Sequence, residues 1–189
     1  ISSLLYVLVI EILATQLRHN QNIVGFTISG EKIISLHYAD DATITITQNR
    51  CFKEVYKELH DYEQAMGAKV NLLKTKGLWL GAWKTRTDSP LGLKWTNQNV
   101  ENLGGFFGND NPGKCTFQQI IPKIIKSINF WKQFYLSKFA KARVLEIFDV
   151  SKLWYAAKCY CIPKDLNTPL KNHFIDYITS SKFIISTNF

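Results

Sequence analysis

Two adjacent carboxylates, Asp40 and Asp41, stand at a bend between two apolar strand patterns spanning 33–47. No Lys or Arg lies between Lys32 and Arg50 to neutralise them. Like charges held this close repel, and protonation, solvent or a bound cation relieves the cost. Hard divalent cations suit the pair, because they take oxygen ligands and keep open positions for phosphate oxygens. A hairpin carrying carboxylates at its tip is therefore suited to form one half of a phosphoryl-transfer metal site. The same Asp-Asp pair also suits a solvated turn with no chemistry, since Asp tolerates turn geometry and water screens charge.

The elements that must position the pair are legible on both sides. On the second strand Ala42, Ile44 and Ile46 alternate with Asp41, Thr43, Thr45 and Thr47, which predicts two distinct faces. The first strand, Ile33 to Tyr38, is more continuously apolar, as a strand covered on both faces would be. Upstream, Leu4, Leu5, Leu8, Ile12 and Leu13 recur at helical spacing, and 25–30 reads as a short strand and turn. Downstream, Phe52, Val55, Tyr56, Leu59, Tyr62 and Met66 mark one face of a helix, and Gly67 is placed to stop it. A strand at 77–81 and a connection at 82–99 follow. Apolar residues then surround Gly104-Gly105, glycines that let backbone pass close to a partner.

The break at 108–113 is taken as a boundary, and beyond it the pattern turns helical. Ile120, Ile121, Ile124, Ile125, Ile128 and Trp131 form one broad face, with Lys123, Lys126 and Lys132 outside it. A second helical pattern runs from Phe139 through Trp154 to an end at Pro163, and a third covers 172–185. The tryptophans and phenylalanines of this half are expected in the core in preference to stacking on bases.

The charge of +8 is unevenly placed. Residues 1–66 carry five Lys or Arg against eight Asp or Glu, whereas 67–189 carry eighteen against seven. An acidic segment followed by a basic one suits a metal site beside a surface for a polyanion, although lysines also keep helices soluble. The 46% hydrophobic content describes a globular chain. The four cysteines lack the paired spacing of a structural zinc site, and no run is long enough to span a membrane. The chain opens inside an apolar helix without an initiator Met, so it is expected to be a piece of a longer protein.

Tyr38-Ala39-Asp40-Asp41 between two apolar strands resembles the polymerase motif of reverse transcriptases. Gly67, Lys69, Asn71 and Lys74 match the Gly-x-Lys-x-Asn-x-x-Lys pattern of the non-long-terminal-repeat (LINE-type) retrotransposon enzymes. Leu103-Gly104-Gly105 resembles their primer-gripping hairpin, and Trp131, Arg143-Val144 and Ser151 to Tyr155 resemble their helical thumb. Ile1 to Tyr6 resembles the tail of a further motif, with Ser3 where the family has proline.

The resemblance implies an α+β fold, a partial polymerase palm over 1–108 and a mainly helical, incomplete thumb over 109–189. It implies RNA-templated DNA synthesis, in which a primer 3′-hydroxyl attacks the α-phosphorus of a deoxynucleoside triphosphate. Asp40 would ligate Mg2+ or Mn2+ directly and Asp41 would support it, while Tyr38 and Ala39 floor the primer end. Asn71 and Lys74, or Lys76, would lie near the phosphates. Leu103, Gly104 and Gly105 would grip the primer, and Lys123, Lys126, Lys138, Lys141 and Arg143 would follow the template-primer backbone. The family's other metal-binding Asp lies upstream of Ile1, so weak metal binding and no activity are expected of this chain alone. The partners implied are RNA template, DNA primer and deoxynucleotides, with no membrane, in the nucleus or cytoplasm. Two alternatives stay open: a non-catalytic nucleic-acid-binding module, and a retroelement relic.

Overall fold

The computed structural model describes residues 2–180, with side chains from Leu4 onward. The fold is α+β, built from helices and two-stranded hairpins, and the chain forms two compact units. One comprises residues 1–77 and 88–95, the other 78–87 and 96–189. The expected boundary at 108/109 does not coincide with this division, because the hairpin before it is bonded to the helix after it.

In the first unit, α1 (Ser2–His19) packs on α2 (Cys51–Met66), with two antiparallel hairpins between them in sequence. β1 (Phe26–Ile28) pairs with β2 (Glu31–Ile33), and β3 (Ser35–Tyr38) with β4 (Asp41–Ile44). Leu13, Leu17, Ile23, Ile34, Val55 and Tyr62 make the core. Burying such side chains is the main stabilising term, about 1.5–3 kcal/mol each.

Two expectations about faces are corrected here. Leu4, Leu5, Leu8 and Ile12 of α1 are exposed, and the core contact is made by Val9, Ile10, Leu13 and Leu17. The helix is apolar on nearly every side, so periodicity alone does not tell which stripe has neighbours. Likewise β3 is not covered on both faces: Leu36 and Tyr38 are exposed, while Ser35 and His37 are half-buried. On α2, Phe52, Val55 and Tyr62 point inward, whereas Tyr56 faces out and stacks on His60. Gly67 ends that helix at φ 67°, its N–H donating to the Glu63 carbonyl.

β5 (Lys76–Leu78) pairs with β6 (Lys94–Thr96), and the chain passes from one unit to the other within these strands. Phe52 meets Trp95 edge-on at 5.6 Å, and the Trp95 indole N–H donates to the Pro90 carbonyl.

In the second unit, β7 (Asn99–Asn102) and β8 (Gly105–Gly108) form a hairpin against α3 (Pro112–Trp131). The Phe106 N–H donates to Thr116 Oγ1 at 2.9 Å, and the Tyr160 hydroxyl donates to the Phe106 carbonyl at 2.9 Å. Asn111 caps α3, with Pro112 at its first position. Then follow α4 (Lys138–Val144), a π-helical turn over Leu145–Val150, α5 (Ser151–Cys159) and α6 (Lys164–Thr179). Ser137 caps α4. The core is Phe117, Ile120, Ile124, Ile128, Leu145, Leu153, Leu170 and Tyr177. α6 begins earlier than the expected 172, directly after Pro163, whose φ of −58° suits a helix start. Its expected end at 185 lies outside the described residues.

Candidate functional site

β3 and β4 pair in register from Ser35↔Ile44 to Tyr38↔Asp41, leaving Ala39-Asp40 as a two-residue loop. Asp40 thus stands at the tip and Asp41 at the first residue of β4, and both are exposed. Ala39 has φ 50°, a left-handed conformation that costs an L-residue about 1–2 kcal/mol. Two-residue hairpin loops need positive φ to match strand twist. Here the need is met by alanine, so the turn holds local strain beside its carboxylates.

Behind the tip, the Thr45 N–H donates to the Ile34 carbonyl at 2.7 Å, and the Thr45 hydroxyl to the Ile33 carbonyl at 2.7 Å. Ile34 is in the core. The carboxylates therefore extend from a hairpin anchored at its base. His37, opposite Ala42 in the register, was not anticipated as part of this neighbourhood. Burial pushes its imidazole below the ordinary value, partly opposed by Glu11, while Arg18 adds to the lowering. A half-buried ring on the inner face of the hairpin has a structural role, and the alternation His37, Ser35 on one side of β3 is its sequence signal.

Asn71 organises a second turn. Its carbonyl accepts from the Lys74 and Thr75 N–H groups, and its side-chain oxygen from the Lys74 N–H at 3.2 Å. This is an Asx-type turn, in which the Asn71 side-chain oxygen shapes the loop. Glu63 holds the loop's start, accepting from the Val70 N–H at 2.6 Å. Lys74 and Lys76 are both exposed. Nothing in their burial separates the two.

The third turn lies in the other unit. Asn102 pairs with Gly105, and Leu103 (φ 50°) and Gly104 (φ 77°) form the loop between them. Two positive φ values are the I′ arrangement, in which Asn-Gly is preferred. Gly104 adopts its angle without a Cβ penalty, but Leu103 does not. Replacing Leu103 with Asn is expected to stabilise this unit by about 0.5–1 kcal/mol, read from the urea midpoint at unchanged slope. An unchanged or lowered midpoint would mean that the Leu103 side chain earns its place by packing.

The basic residues expected to follow a phosphate backbone separate in the structure. Lys123, Lys126 and Lys138 are exposed. Arg143 is held by Glu146 at 2.6 Å. Lys141 is a correction: it is 8% exposed, its ammonium donates to the Ser180 carbonyl and hydroxyl, and it lies 5.4 Å above the Tyr177 ring. It fastens α4 to α6 and is not available to phosphate.

The same helical unit buries a carboxylate. Asp149, in the π-helical turn, is 0% exposed, with Lys152 Nζ 3.5 Å away. Burial pushes its carboxyl above the ordinary range, and Ser127 and Lys152 offset only part of that. Tyr177 is pushed up too, by burial first and by Asp149 second. Asp149 falls four residues from both Leu145 and Leu153, both core residues, so helical spacing alone marks it as inward-facing.

A raised carboxyl value means that the folded state holds a proton which the unfolded chain has released. Stability is therefore lost as pH rises from the ordinary carboxylate value of 3.8 through the raised one. Asp149→Asn is expected to raise stability at pH 7 by on the order of 1 kcal/mol, or a few degrees in Tm. That gain should vanish on acidification below the window. A variant less stable than wild type at neutral pH would show that the Lys152 pair outweighs desolvation.

Among the described residues, no group of three or more His, Cys, Asp or Glu gathers to hold a metal ion. Asp40 and Asp41 supply the right donors for one side of a divalent-cation site and do not complete it. No described helix is long and apolar enough to cross a membrane. Scanned against protein-family models and searched against curated proteins, the chain matches none of them.

Proposed function

We propose that this chain is the palm-and-thumb portion of a LINE-type reverse transcriptase, an RNA-directed DNA polymerase. The observation that carries the reading is the Tyr38-Ala39-Asp40-Asp41 turn: two exposed carboxylates at the tip of an anchored hairpin, beside a strained non-glycine residue. Backbone strain of this kind concentrates at functional turns. The order of elements agrees with it: a helix, the acidic hairpin, a helix closed by Gly67, the Asn71 loop, the Leu103-Gly104 hairpin and a helical region.

Divalent ions, when bound, would stabilise the attacking and leaving oxygens of nucleotidyl transfer. Asp40 would be the direct ligand and Asp41 would hold the tip's charge and geometry. The remaining carboxylate comes, on this reading, from a segment preceding Ile1. The exposed apolar face of α1 and the open edges of the β3–β4 hairpin fit a chain that packs against such a segment. Lys74 or Lys76 would offset charge developing on the phosphates.

Primer extension on an RNA template, with manganese and with an upstream segment of a related element joined to Ile1, tests the proposal. Extension that depends on the joined segment supports it. The alternative of a non-catalytic nucleic-acid-binding module would hold if the joined protein binds hybrid duplex but never extends it.

A further inference from the structure

The helical unit exposes aromatic side chains that the sequence pattern assigns to the core. Phe130, Phe134 and Phe148 are 52%, 46% and 45% exposed. They are not scattered. Phe130 and Phe134 have ring centroids 5.3 Å apart, Trp131 lies 5.5 Å from each, and Trp131 packs on Phe148 at 5.3 Å and 34°. The result is one contiguous aromatic surface spanning the end of α3, the turn after it and the π-helical turn. Three exposed phenylalanines joined through Trp131 are a poor solution for solubility and a good one for binding.

The sequence leading to this surface is rich in positive charge. Between Asp110 and Glu146 there are seven Lys or Arg and no Asp or Glu. Of the acidic residues that follow, Glu146 is engaged by Arg143 and Asp149 is buried. Lys123, Lys126 and Phe130 are spaced i, i+3, i+7 on α3, so two exposed ammonium groups lead along one helix face to the first ring. Lys132 stands between Trp131 and Phe134 in sequence and is exposed. A protein partner with an acidic rim could match the charge. Exposed aromatic rings beside lysines, however, are the pairing that single-stranded nucleic acid calls for: phosphates beside lysines, bases on rings.

We propose that Phe130, Phe134 and Phe148, flanked by Lys123, Lys126 and Lys132, form a stacking platform for unpaired bases of single-stranded nucleic acid. The platform does not require the polymerase reading. It assigns the aromatic residues to bases, whereas a duplex-tracking surface uses only phosphates. Stacking is sequence-tolerant because every base has a π-face, so little discrimination among sequences is expected.

The test is a fluorescence-anisotropy titration of the whole chain with labelled oligodeoxythymidine, with an abasic strand of equal length, and with an RNA–DNA hybrid duplex. The two single strands carry the same phosphates and differ only in bases. The thymidine strand is expected to bind about ten-fold tighter than the abasic one, as one or two stacked bases would give. Phe134→Ala and Phe130→Ala should each remove about three-fold from thymidine-strand binding, together abolishing the preference, leave the abasic strand unchanged and preserve the salt slope. Lys126→Gln should weaken both strands and flatten that slope. Equal affinity for the two strands, or phenylalanine variants that bind as wild type does, would overturn the platform. So would a dimer in sedimentation that Phe134→Ala dissolves, since a second copy would then cover the rings. Absent binding to the duplex, with the thymidine preference intact, would count against the thumb reading and leave the platform standing.

Discussion

On the proposed polymerase reading, Asp40→Asn in the chain joined to an upstream segment of a related element should abolish primer extension, by about a thousand-fold or more, while the protein melts as before. The size follows from the role. A ligand that holds ions against the developing charge contributes several kcal/mol to the transition state, and 1.4 kcal/mol is a factor of ten. The intact fold follows from the geometry. Asp40 is exposed at a loop tip whose register is set by backbone pairing from Ser35↔Ile44 to Tyr38↔Asp41. Asn keeps the shape of Asp and removes only charge, and it relieves repulsion with Asp41. Asp41→Asn should cost less, because Asp41 begins β4 and is assigned a supporting place. Primer extension and a thermal melt on the same preparations separate the outcomes. A folded Asp40→Asn protein with full activity would remove Asp40 from the chemistry, and a larger loss in Asp41→Asn would reverse the two roles.

How far the sequence foretold this arrangement depends on the distance over which each feature is decided. The acidic hairpin was legible because its determinants are adjacent: period-two alternation over 41–47 and two turn-tolerant residues at its head. Gly67 was legible for the same reason, a single left-handed residue after one amphipathic helix. The Leu103-Gly104 turn was legible as a bend, although Leu at positive φ is not what turn chemistry favours. Lys141 was not legible. Its partner Ser180 lies 39 residues away, and nothing local distinguishes it from the exposed Lys138.

The division into units was hidden for a similar reason. It runs through β5 and β6, whose pairing depends on contacts across the connection: Gly77 approaches Trp95 on one side, and the Trp79 N–H meets the Thr96 carbonyl at 2.9 Å on the other. The strong local break at 108–113 is real, but Thr116 reaches back over it to Phe106. Local punctuation marks where a chain turns, while long-range bonds decide what it folds with. The aromatic surface shows the converse limit. Trp131 and its neighbours have helical spacing and core chemistry, and only the packed structure shows rings left uncovered.

The acidic tip also depends on Gly25, a residue outside the β3–β4 hairpin. Three segments cross there. The Val24 carbonyl accepts from the Thr47 N–H at 2.9 Å, Phe26 pairs with Ile33, and the Ile34 carbonyl accepts from Thr45. A Cβ on Gly25 would run into the Ile33 carbonyl, with Ile34 Cα at 3.0 Å. Both obstacles are backbone, so no rotamer change relieves them. Gly25→Ala is therefore expected to cost about 3 kcal/mol, the upper end for overpacking, and to lower Tm by roughly 10 °C. The displaced Ile33-Ile34 segment carries the acceptors that anchor Thr45, so the damage reaches β4 and the Asp40 turn. Hydrogen exchange gives the discriminating readout: the Thr45 and Thr47 amides should lose protection in Gly25→Ala, while amides of α3 keep theirs. In the joined protein, primer extension should fall as well, although Gly25 touches no reacting group. A variant that melts within a degree or so of wild type and keeps both threonine amides protected would show that the crossing has room for a methyl group. The anchoring of the acidic hairpin through Gly25 would then be wrong.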